Sequence, residues 1–141
     1  MNSSERIAAF EASCHLYRVE KNEVALMKQR ALDPIEAITL RIYEEDIKYV
    51  EDTFDAIKEK CGRHARLLMW MSLVEEKKRS DIAESYDISE RTLTSWFDKW
   101  KEKIFGGGVL IFSTLYYGYF QRKKERICDV MPALSLGNCR I

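Results

Sequence analysis

Three groups of residues in this 141-residue chain have types and spacings that could do chemistry. The first is Cys14-His15 with Cys61 and His64, which offer the thiolate and imidazole donors that zinc uses. Such a site would need two adjacent residues to ligate, whereas ligands on one helix face stand three or four positions apart. Cys128 and Cys139 add no CxxC pair, so the expectation is reduced thiols in a reducing compartment, with no metal and no cofactor. The second group is the carboxylates and small residues of possible catalytic sites. Glu44/Glu45 read as a solubilising pair, and Gly106-Gly107-Gly108 lacks the lysine and following helix of a phosphate loop. Neither HExxH nor a Ser/His/Asp set at usable spacing occurs, so no enzyme is expected.

The third group is polar and basic. It comprises Lys77, Lys78 and Arg79, then Ser89, Arg91, Thr92, Thr94, Ser95 and Lys99. Residues 79–98 around it read as a short helix, a tight turn and a second helix. Ile82 and the small Ala83 face inward and let the second helix cross closely, Asp87 occupies the turn, and Ile88 plugs the angle between the helices. Ser89 has the hydroxyl to cap the second helix. Leu93, Trp96 and Trp100 recur at three-to-four spacing and are expected to seat it on the core. The opposite face then offers Glu90, Arg91, Thr94, Ser95, Asp98 and Lys99 to solvent. A helix so arranged can lie in a major groove, with its polar side chains against base edges and phosphates. The run Lys77-Lys78-Arg79 reads either as a phosphate clamp beside that groove or as a solvated turn.

This segment resembles the helix-turn-helix in region 4 of sigma-70-type factors and in small phage transcription regulators of the ArpU/RinA type. The likeness covers residues 64–103 and rests on Ile82-Ala83, Ile88-Ser89, Thr92 and Leu93, with a leading helix over 64–75. It implies that the second helix reads a promoter element, with base or phosphate contacts on Ser89, Arg91, Thr92, Thr94, Ser95 and Lys99. Two features depart from it. Asp87 stands where glycine is commonest, a tolerable exchange because aspartate visits the left-handed region more readily than most residues. Trp96, Phe97 and Trp100 are a heavier apolar load than a groove reader needs and acidic Glu90 and Asp98 oppose phosphate, features that could instead serve to bind protein.

The elements that must position these residues are helical. Residues 4–32 read as one helix capped by Ser3 or Ser4, with Ile7, Phe10, Cys14, Tyr17, Val24, Met27 and Ala31 as its apolar positions and a possible break at Glu20–Glu23. Asp33-Pro34 then starts a second helix of about 40 Å, because aspartate caps and proline at the first position has no amide hydrogen to leave unpaired. Its stripe is Ile35, Ile38, Ile42, Ile47, Val50, Phe54, Ile57 and Cys61, expected to pack on the first helix or to form a homodimer seam. Gly62 ends it. Residues 64–76 read as a core helix with Leu67, Leu68, Trp70, Met71 and Val74 on a broad apolar face.

With 46% hydrophobic and 33% charged residues, the composition is that of one folded soluble domain, long enough to bury a core without metal or disulfides. Net charge is zero, but residues 1–61 carry −4, 62–103 carry +1 and 104–141 carry +3. The apolar run Val109–Phe120 falls short of the ~20 residues that span a bilayer, and the first residues do not form a secretory signal, so a cytoplasmic protein is expected. That run fits either strand or helix, and it must be hidden against the core or against a second chain. The basic run Arg122–Arg126 after it admits the same two readings as Lys77–Arg79.

The expected fold is all-α, with an interaction region at 1–62, a helix-turn-helix at 63–105, and a glycine joint and tail at 106–141. The expected function is sequence-specific binding of duplex DNA in transcription control, encoded by a phage or mobile element. The N-terminal helices would dimerise or touch RNA polymerase or another host protein. A protein antagonist or adaptor, for example an anti-CRISPR protein, is the alternative, and a DNA-packaging subunit a third.

Overall fold

A computed structural model of the chain describes residues 2–106, and the expectations for Val109–Phe120 and the basic run after it concern residues outside these. The described part is all-helical: α1 (Ser3–Met27), α2 (Pro34–Cys61), α3 (Arg63–Leu73), α4 (Arg79–Ser85) and α5 (Glu90–Phe105). No helix among these residues is long and apolar enough to cross a membrane.

α1 begins one residue earlier than expected, because Asn2 rather than Ser3 or Ser4 supplies the cap, its side-chain oxygen accepting from the Glu5 amide at 2.8 Å. It runs unbroken through Glu20–Glu23, since Tyr17, Val24 and Met27 continue one buried stripe across the charged stretch. It stops at Met27 and not at 32. After Met27 the Gln29 and Arg30 amides turn back to the Leu26 and Met27 carbonyls at 3.2 and 3.4 Å, and Asp33, which precedes proline, is extended (φ −74°, ψ 169°). Asp33 instead closes a capping box, accepting from the Glu36 amide at 2.8 Å while its own amide donates to the Glu36 carboxylate at 3.3 Å. The Glu36 amide holds the Asp33 carboxyl below the usual carboxylate range.

α2 lies antiparallel on α1, tied by Tyr17 to Glu51 (2.6 Å), Lys21 to Glu51 (3.4 Å) and Lys28 to Glu44 (3.5 Å). The last pair shows that the first turns of α2 extend past the end of α1. The expected stripe is therefore only half covered: Ile47, Val50, Phe54 and Ile57 are buried, while Ile35 and Ile38 are exposed. Gly62 ends α2 at φ 99°, ψ 169°, a backbone conformation essentially restricted to glycine, and α3 starts at the next residue. On α3 the apolar face is narrower than the sequence suggested. Leu68, Met69 and Leu73 are buried, Trp70 and Met71 are half-buried, and Leu67 is exposed.

The core joins both ends of the chain. Phe10 of α1 packs against Phe54 of α2 and Phe105 of α5, with ring centroids 5.4 and 5.3 Å away, and Trp70 of α3 sits edge-on to Phe54 at 4.9 Å. Arg6 donates to the Phe105 carbonyl at 2.7 Å, which occupies one of the carbonyls left open at the end of α5.

Candidate nucleic-acid interface

The turn between α4 and α5 is built from local rules. Asp87 adopts the left-handed conformation (φ 53°) expected at the turn. The Ile88 amide reaches back to the Ala83 carbonyl at 3.0 Å and the Asp87 amide to Glu84 at 3.2 Å, the two bonds of a Schellman motif. Ile82 and Ala83 are buried beneath it, and half-buried Ile88 packs against the core as the apolar partner such a motif favours. The chain therefore leaves α4 with its last carbonyls satisfied and its direction fixed.

Ser89 starts α5, accepting from the Thr92 amide at 3.0 Å and donating its hydroxyl hydrogen to the Thr92 hydroxyl at 2.8 Å. Both hydroxyls thus already take part in capping. From there α5 seats itself through Leu93, Phe97 and Ile104. Trp96, expected on the core, is 36% exposed, and Phe97 takes its place at 2%. Four residues on from Leu93 lies closer to the buried line than three residues on, because the helix turns 100° per residue. Trp100 is half-buried at the edge, with its ring centroid 5.9 Å from that of Phe97 and 6.0 Å from that of Trp96.

The outward face carries Arg91, Ser95 and Lys99, all exposed and four residues apart, so they stand one above another along α5. Acidic Glu90, Asp98 and Glu102 share the exposed surface of the helix. Lys101 turns inward, 3.7 Å from Glu11 of α1 and 4.0 Å from Asp98. Thr94 and Arg79 pair with each other: the guanidinium donates to the Thr94 hydroxyl at 3.1 Å and lies 5.0 Å over the Phe97 ring. This pair braces α4 against α5. Lys78 is exposed at the N-cap position of α4, and Lys77 lies 3.3 Å from Glu75. The candidate residues thus divide. Arg91, Ser95, Lys99, Lys77 and Lys78 face outward, whereas Ser89, Thr92, Thr94 and Arg79 are engaged in holding the motif together.

Beside this face lies an apolar groove of about 490 Å³. Buried Leu68 forms its floor, half-buried Ile88 and Trp100 line it, and exposed Tyr86, Trp96 and Lys99 stand at its mouth. The heavy aromatic content of α5 is legible in the sequence but this groove is not, because it needs α3, the turn and α5 brought together. The two cysteines among the described residues lie elsewhere: Cys14 is buried in the core, and burial pushes the half-buried Cys61 thiol up despite Lys103 and Lys60 nearby. Among the described residues no group of three or more His, Cys, Asp or Glu could hold a metal ion. Set against models of protein families, curated proteins and solved structures, the chain matches none of them.

Proposed function

We propose that the chain is a sequence-specific DNA-binding transcription regulator of the sigma-70 region 4-like kind, phage- or mobile-element-encoded, with α5 as its reading helix and no catalytic role. The observation that carries this reading is a capped α5, held at a fixed angle to α4 by a Schellman turn, with Arg91, Ser95 and Lys99 exposed in one line. Arg91 and Lys99 are the residues proposed to reach base edges and phosphates, and Lys77 and Lys78 those proposed to clamp the flanking backbone. The uncovered end of α2, with Ile35 and Ile38, is the surface proposed for dimerisation or for a polymerase contact.

Selection of a duplex from a random pool, followed by titration at several salt concentrations, tests the reading. Each phosphate-neutralising Lys or Arg releases counterions, so log affinity should fall against log salt with a slope of about −3 to −6. Arg91→Ala and Lys99→Ala should each weaken binding while leaving the melting temperature unchanged. Absence of duplex binding at about 50 mM salt would overturn the reading. It would favour a protein antagonist or adaptor, to which the exposed Trp96 and Tyr86 and the acidic Glu90, Asp98 and Glu102 lend weight.

A further inference from the structure

We propose that the groove over Leu68 is a docking site for the chain's own apolar segment, residues 109–120, seated in cis. The groove is apolar at its floor and aromatic at its mouth, where Trp96 and Tyr86 stay 36% and 38% exposed. A cavity of about 490 Å³ is sized for a few large side chains rather than for a whole helix. Val109, Leu110, Ile111 and Phe112, with Leu115, Tyr116, Tyr117, Tyr119 and Phe120 after them, supply side chains of that kind. A run of this composition would cost solubility if left in water.

Reach favours this occupant over others. Trp100 stands six positions before Gly106, or about 9 Å along a helix axis. Three residues of chain from Gly106 to Val109 can cover about 10 Å, and the joint residues Gly106, Gly107 and Gly108 are all glycines, with no side chain to oppose a reversal. A segment tethered this closely meets the groove at an effective concentration in the millimolar range, which a second copy or a foreign peptide must exceed to displace it.

The full-length chain carries the test. A photo-reactive phenylalanine analogue in place of Trp96 should cross-link, on illumination, to a peptide within residues 109–120 of the same molecule. A mixture of isotopically light and heavy chains distinguishes the source, and cross-links of mixed mass would overturn the proposal in favour of a second copy. Cross-links that avoid 109–120 altogether would overturn it outright. Independently, 5-fluorotryptophan resonances, assigned through Trp96→Phe and Trp100→Phe, report on the groove. The double change Phe112→Asp with Tyr116→Asp should shift the Trp96 and Trp100 signals and make them sensitive to H₂O/D₂O exchange, leaving Trp70 unmoved. Unmoved Trp96 and Trp100 signals would refute the docking, and should the double variant not fold, the cross-link on the otherwise unaltered chain still decides.

Discussion

Leu93 and Trp96 lie three positions apart on the same helix, yet one is fully buried and the other 36% exposed. Leu93→Ala should leave a cavity in the core and cost about 2–5 kcal/mol in chemical denaturation. Trp96→Ala removes a ring at the edge of the helix that is not enclosed by the core, and should cost clearly less than Leu93→Ala. Equal losses from the two would mean that α5 is rotated from the orientation described. A second residue-scale effect concerns Tyr17, whose hydroxyl donates to Glu51 at 2.6 Å in a nearly dry position. Burial, then the Glu51 hydrogen bond and charge, raise its pKa well above the ordinary tyrosine value. Below pH ~10 both folded and unfolded chains keep this proton, so it adds no pH dependence. Above that, the unfolded chain releases its proton first, and stability should fall by about 1.4 kcal/mol per pH unit from this group alone. Urea midpoints from pH 9 to 11 should therefore fall less steeply for Tyr17→Phe than for the parent. Parallel curves would mean that Tyr17 ionises freely in the fold.

At the scale of elements, legibility followed the range of the signal. Asp33-Pro34 with Glu36, the Ser89 cap and the left-handed Asp87 all act within four residues, so the sequence alone displayed the start of α2, the start of α5 and the turn before it. The misplaced side chains depend on what lies opposite. Ile35 and Ile38 continue the α2 stripe without a fault in spacing, but α1 ends before it can cover them. Nothing in the periodicity of α3 tells Leu67 from Leu68. Arg79 and Thr94, read as groups available to DNA, pair across two helices fifteen positions apart, a distance no local pattern encodes. The turn itself yields a prediction. Because Asp87 is held at φ 53°, a β-branched residue there is strained, and Asp87→Val should cost about 1–2 kcal/mol. Asp87→Gly relieves the side-chain strain and should cost nothing, or stabilise slightly, since the greater entropy of unfolded glycine offsets part of the gain. Thermal melts of the pair check the sign, and a valine as stable as glycine would refute a left-handed turn.

For the molecule as a whole, the helix-turn-helix does not rest on a core of its own. Phe105 closes α5 onto Phe10 of α1, Phe10 in turn touches Phe54 of α2, and Arg6 and Glu11 tie α1 to α5 through the Phe105 carbonyl and Lys101. The α4–α5 motif and the acidic hairpin therefore share one set of buried contacts, and their unfolding is expected to be a single event. Phe10→Ala, fully buried and some 80 residues from the turn, deletes a ring that packs on Tyr49, Phe54 and Phe105 and should cost about 3–5 kcal/mol. That loss should be transmitted whole to α5. Far-UV circular dichroism, dominated by α1 and α2, and amide exchange across α4 and α5 should shift to the same lower denaturant midpoint in the variant. A helix-turn-helix whose amides keep their parental protection after Phe10→Ala, while the long hairpin melts, would show two independent cores and separate the stability of α4 and α5 from that of the hairpin.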